Sequence, residues 1–177
     1  EPKDVKAFEI SDFICPHPEE TTAYIVYMLQ CMAEIAKVLG KSDDEKHFLK
    51  YAKTAKQGYQ KLVSTKKYTL DTDRQAKIVR PLYFDLLDGE QKKFAEKRLI
   101  KALDNYGWRL GTGFLSTPLI LYVLEKIDKE YAYRLLENEK MPGWLFMTKS
   151  GATTIWESWE GTEAQGGIAS LNHYSKG

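Results

Sequence analysis

The chain has 177 residues, 43% of them hydrophobic and 29% charged, a composition that suits one ordinary globular domain with a real core. Its 26 basic and 25 acidic residues leave a formal charge of +1, which gives no electrostatic case for nucleic acid or an anionic membrane as a partner. The apolar stretch from Phe114 to Leu124 is broken by Ser116, Thr117 and Pro118 and is too short to span a bilayer, and no positively charged leader precedes an apolar segment.

Taken in chain order, the pattern is helical. Residues 21 to 39 carry Tyr24, Tyr27, Met28, Cys31, Ile35 and Val38 at spacings of three and four, which predicts a helix with that face inward. Gly40 is its expected stop. Ser42-Asp43-Asp44-Glu45 reads as a capping box that opens a second helix running to about Val63, with Phe48, Ala52, Ala55, Tyr59 and Leu62 on one face. A third helix is expected over 73 to 87, perturbed by Pro81. Asp88-Gly89 reads as a turn, and 90 to 104 as a fourth helix with Phe94, Ala95, Leu99 and Ala102 inward. Thr117-Pro118 reads as an N-cap followed by proline at the first helical position. The helix it opens, Leu119 to Ile127, is apolar nearly all round and needs cover on most sides. Residues 129 to 139 form a sixth, amphipathic through Tyr131, Ala132, Leu135 and Leu136.

Paired helices that alternate between more and less buried members are expected of alpha-toroids and alpha-solenoids, and the lack of a fixed-period repeat argues against a TPR-like array. After Pro142 the pattern changes. Trp144 to Thr148 and Ala152 to Trp159 are aromatic and β-branched, with Lys149-Ser150-Gly151 between them, which predicts a β-hairpin over 143–159. Period two would put Thr153, Ile155, Glu157 and Trp159 on one face and Trp156 on the other. Residues 161 to 167 read as a loop.

The remaining chemistry is sparse. Cys15 and Cys31 make neither a disulfide framework nor a metal knuckle, and Cys31 is expected as a small core residue. His17, His47 and His173 lack metal-ligand spacing, so neither a metal nor a cofactor is expected. Gly111-Thr112-Gly113 lacks the ending and the preceding strand of a phosphate loop and reads as a turn. Lys50, Lys53, Lys56 and Lys61 read as a solvated helix face. A carboxylate between aromatic rings, as at Glu157, suits a carbohydrate site: rings stack on sugar faces and the acid activates water or binds hydroxyls. The same residues also fit tryptophans packed on helices beside an exposed glutamate, and residue chemistry alone favours that plainer reading.

Four segments in register resemble one family. Gly111-Thr112-Gly113-Phe114-Leu115 resembles the "TGFLGT" segment of bacterial α-L-rhamnosidases, glycoside hydrolase family 78. Tyr131 to Leu136 followed by Pro142-Gly143-Trp144 is similar to their "AYRLL…PSW". Residues 151 to 159 are very close to their "GATTIWERW", and Ser170-Leu171-Asn172-His173-Tyr174 matches their "SLNHY". The first 70 residues match only in general pattern.

The resemblance implies an all-α fold: about three helical hairpins from the C-terminal half of an (α/α)6 toroid, within one domain over 1–177. It implies inverting release of terminal α-L-rhamnose, with Glu157 as the general base. His173 and Asn172 would line the rhamnose pocket, and Trp159, Trp156 and Phe13 would offer stacking surfaces, Phe13 standing where the family's "GDW" has its tryptophan. Ser158 replaces a usual arginine. The general acid of an inverting enzyme must lie roughly 6.5–9.5 Å from the base. The family carries it in an upstream "DER" segment that does not occur here. The chain would therefore be inactive alone. Its expected partners are a rhamnose-containing carbohydrate and either the upstream half of the barrel or a second copy. The alternatives are a non-catalytic helical carbohydrate-binding or scaffold domain, and another alpha-toroid glycosidase or lyase.

Overall fold

The computed structural model describes residues 17–159. Seven helices follow one another: α1 (Pro18–Val38), α2 (Ser42–Val63), α3 (Gln75–Tyr83), α4 (Gly89–Asn105), α5 (Thr117–Ile127), α6 (Lys129–Leu136) and α7 (Trp144–Lys149), with a 3-10 turn at Lys66–Tyr68 between α2 and α3. Helices α1 and α2, α3 and α4, and α5 and α6 pack as successive pairs. The first members also meet each other, α1 against α3 and α3 against α5, so α1, α3 and α5 form one layer and their partners flank it.

The termini of these helices follow local chemistry. Gly40 stands just past α1 at φ +68°, a left-handed conformation that glycine adopts without cost, and Lys41 N–H donates to the Ala36 carbonyl to close the turn. The capping box expected at Ser42 is not formed: Ser42 is already helical, Lys41 is the N-cap, and no side chain caps the end. The box lies at Asp88 instead. Its carboxylate accepts from Gln91 N–H at 2.8 Å while Gln91 Oε1 accepts from Asp88 N–H at 3.3 Å. Helix α3 is shorter than expected because the chain turns at Phe84 and Asp85, the latter at φ +52°.

The core runs through Val26, Tyr59, Ile78, Leu86, Leu99, Leu103, Ile120 and Leu124. Two expectations about faces fail. On α1 the buried residues are Glu19, Ala23, Val26, Ala33 and Ala36, while Met28, Ile35 and Val38 point out, at 62%, 51% and 84% exposure. Small residues let α1 and α2 approach closely, and α1 is apolar on a second face that the pattern alone cannot rank. Cys31, on the outward side, is half-buried and a free thiol rather than a core residue. On α4, Phe94 is exposed while Ala95, Leu99 and Ala102 pack inward as expected.

The expected β-hairpin over 143–159 is also absent. Trp144–Lys149 is helix α7, residues 152–159 form no regular element, and no strand occurs among the described residues. A short apolar run has the same composition whether it folds as strand or as helix. Here the helical spacing lets Met147 bury fully with Trp144 against the core.

No helix among the described residues is long and apolar enough to cross a membrane.

Candidate active site

The site grows from the loop that leads into α5. Gln75, fully buried at the start of α3, donates to the Arg109 carbonyl at 2.9 Å and accepts from Gly111 N–H at 2.8 Å. A Cβ on Gly111 would stand 3.1 Å from that amide, so glycine permits the close approach. Thr112 and Thr117 share a 2.9 Å hydroxyl contact, and Thr117 also donates to the Gly113 carbonyl at 3.0 Å. These bonds fix the first turn of α5, where Ser116 is the N-cap and Pro118 the second helical residue, so the helix begins one residue earlier than the sequence suggested.

A second polar cluster braces the same end of the fold. Glu19 of α1 pairs with Arg80 of α3 at 2.7 Å, with both side chains almost fully buried. Its other oxygen accepts from Tyr59 of α2 at 2.7 Å. Arg80 also reaches Ser116 Oγ at 3.3 Å and Glu20 at 3.5 Å. Burial, and then the Glu19 carboxylate, push the Tyr59 hydroxyl far above the usual phenol range, so it remains a donor. One ion pair thereby ties three helices to the N-cap of α5. Sequence periodicity gave no hint of it, although a lone arginine inside Ile78-Val79-Arg80-Pro81-Leu82 is the signal that marks a buried charge.

The segment after α7 packs over this end. Gly151 turns the chain at φ +83°, and Ala152 N–H donates to the Met147 carbonyl. Trp156 is buried at 6% exposure. Trp159 is half-buried, packs against the core and meets Trp144 edge-to-face at 6.1 Å. Glu157, between the two anchored tryptophans, is exposed. Ile155 forms part of the wall of a cavity of about 680 Å³, together with Thr117, Pro118, Leu121, Tyr122 and Trp144. Trp156, Glu157 and Trp159 thus follow directly on Ile155, whose side chain lines a concavity running between α5 and α6. Phe13, Asn172 and His173 lie outside the described residues, as does the loop expected over 161–167. No cluster of histidine, cysteine, aspartate and glutamate suited to a metal occurs among the described residues.

Comparison with known proteins agrees with this architecture. Residues 16–177 match the bacterial alpha-L-rhamnosidase 6 hairpin glycosidase domain, and the chain belongs to that family. Among curated relatives, the α-L-rhamnosidase of Formosa agariphila is 31% identical over 94% of this chain and 20% of its own length. That of Streptomyces avermitilis is 31% identical over 88% of this chain and 16% of its own. The native rhamnosidase of Aspergillus terreus superposes with a TM-score of 0.79 at 29% identity, over 87% of this chain and 19% of that one. The Streptomyces avermitilis enzyme, solved in complex with L-rhamnose, superposes with a TM-score of 0.77 at 30% identity, over 88% and 16% of the respective chains. The chain therefore spans about a fifth or less of the length of these relatives.

Proposed function

We propose that this chain forms part of an inverting α-L-rhamnosidase, that its three hairpins are an arc of an (α/α)6 toroid, and that Glu157 is the general base. The observation that carries the proposal is the Trp156-Glu157-Ser158-Trp159 segment. It resembles the family's base-bearing motif except for Ser158 in place of arginine, its tryptophans are packed, and its carboxylate stays exposed two residues past Ile155, which lines a concavity. The likeness to an enzyme solved with L-rhamnose supports a rhamnose-containing carbohydrate as the ligand.

In this role Glu157 takes a proton from water as the water oxygen attacks the anomeric carbon. A second carboxylic acid protonates the departing glycosidic oxygen from the other face. Trp159 and Phe13 offer apolar surface to the sugar ring, Trp156 holds the segment in place, and His173 and Asn172 bond sugar hydroxyls. The chain carries no counterpart of the family's acid segment. Base without acid forfeits most of the transition-state stabilisation, so the 177-residue chain alone is expected to be inactive.

The test is a hybrid in which residues 16–177 replace the matching stretch of the Streptomyces avermitilis relative. Turnover of p-nitrophenyl α-L-rhamnoside is expected, with β-L-rhamnose as the first product by NMR. Retention of the anomeric configuration, or no turnover from a folded hybrid, would refute the proposal.

A further inference from the structure

We propose that Phe114 and Leu115, on the loop between α4 and α5, form an apolar wall that meets the C6 methyl group of L-rhamnose and so set the preference of the site for a 6-deoxy sugar. The proposal rests on the rhamnosidase reading and adds specificity-determining residues to it.

From Leu110 to Thr117 every other side chain is turned inward. Leu110, Thr112, Ser116 and Thr117 are buried, whereas Phe114 and Leu115 are 58% and 41% exposed. The backbone that carries them is nonetheless braced from α1 and α3. Gln75 grips Gly111, Arg80 reaches Ser116 Oγ, and the Tyr24 hydroxyl donates to the Leu115 carbonyl at 3.0 Å. Ser116 N–H and Thr117 N–H both donate to the Gly113 carbonyl, closing the turn from which the two side chains project. An exposed apolar residue is ordinary when it stands alone. Two adjacent ones on a braced loop are preorganised, so a ligand that meets them bears little ordering cost.

The loop lies beside the candidate site. Leu115 stands two residues before Thr117, and Thr117 and Pro118 share a cavity wall with Ile155, which stands two residues before Glu157. A Cβ on Gly113 would meet nothing within 4 Å, so the space beside Phe114 is open. L-Rhamnose, the sugar in the Streptomyces avermitilis complex, carries a methyl group where L-mannose carries a hydroxymethyl group. An apolar surface at that carbon selects the methyl group, because a hydroxyl held against it gives up water without gaining a hydrogen bond. Trp156 is buried, and the proposed role gives Trp159 to the face of the sugar ring. Phe114 and Leu115 remain for the methyl group.

The test compares kcat/KM of the folded hybrid carrying residues 16–177 on p-nitrophenyl α-L-rhamnoside and p-nitrophenyl α-L-mannoside. Phe114→Ser with Leu115→Asn is expected to lower the rhamnoside-to-mannoside ratio about tenfold, the low end of what a single methyl contact contributes to specificity. The melting temperature should stay unchanged, since both side chains are exposed. Leu115→Met keeps the apolar surface and should keep the ratio. An unchanged ratio in the double variant, or an equal loss on both sugars, would overturn the proposal. Calorimetric binding of free L-rhamnose and L-mannose reads the same contact without turnover. The parent hybrid should prefer L-rhamnose and the double variant should lose that preference; a parent that binds neither sugar, or both equally, would overturn the proposal. A hybrid that binds with the expected preference but hydrolyses no rhamnoside would support this proposal and count against the catalytic one. An active hybrid whose ratio ignores the substitutions would count against this proposal alone.

Discussion

Glu19 and Arg80 are a buried pair whose removal should be costly and whose joint replacement should not. Glu19→Gln leaves a buried guanidinium with only the longer contact to the part-exposed Glu20 carboxylate at 3.5 Å, and a loss of about 3 kcal/mol is expected in urea unfolding. Replacing both residues by apolar ones of similar volume should cost far less than the sum of the single changes, which a double-mutant cycle would show. Asp73 makes a pH-dependent contribution. Burial raises its carboxyl, but hydrogen bonds from Arg98 at 2.9 Å and Asn105 at 3.0 Å outweigh that and hold it below the ordinary aspartate value. A depressed folded value means its stabilisation is complete above about pH 4, the unfolded range, and is lost as pH falls through the folded value. Because the side chain is 30% exposed, the effect should be below about 1 kcal/mol. Asp73→Asn should flatten the acid limb of a stability–pH curve, and an unchanged limb would show the contribution to be negligible.

At the scale of elements, the Asp88 capping box should be worth about 1 kcal/mol to α4, measurable by denaturation of Asp88→Ala. Sequence reading put a box at Ser42 and a mere turn at Asp88. Both stretches offer the right residue types, and what separates them is where the backbone enters the helix, which Lys41 does one residue before Ser42. The aromatic run after Pro142 misled in the same way, since six residues are too few for their period to separate strand from helix. Gly143, the N-cap of α7, explains the local outcome. A Cβ there would meet the carbonyl oxygens of Lys140 at 2.8 Å and Asn138 at 2.9 Å, both backbone atoms that cannot swing aside. Gly143→Ala should therefore displace α7 and cost about 1–3 kcal/mol. Loss of the near-ultraviolet signal of the Trp144–Trp159 pair would report that displacement, and an unchanged spectrum would contradict it.

At the scale of the whole molecule, the order of helices was readable because each carries its own period and its start or stop signals, Pro118 opening α5 and Gly40 closing α1 among them. The inward face of α1 was not. Methionine, isoleucine and valine outrank alanine on any hydrophobicity scale, yet close approach to α2 selects Ala33 and Ala36. The Glu19–Arg80 pair escaped notice because it joins residues 61 positions apart. The proposed role of Glu157 rests on its motif, flanked by tryptophans that the fold packs, whereas its plain residue chemistry favours an ordinary surface glutamate.

The role of Glu157 is tested most directly by the rhamnosidase turnover of the hybrid domain carrying residues 16–177, compared with its Glu157→Gln variant. General-base catalysis contributes about 10²–10⁴-fold. The account predicts a loss of that size in kcat with KM little changed. Equal turnover by parent and variant would contradict it and move the base elsewhere.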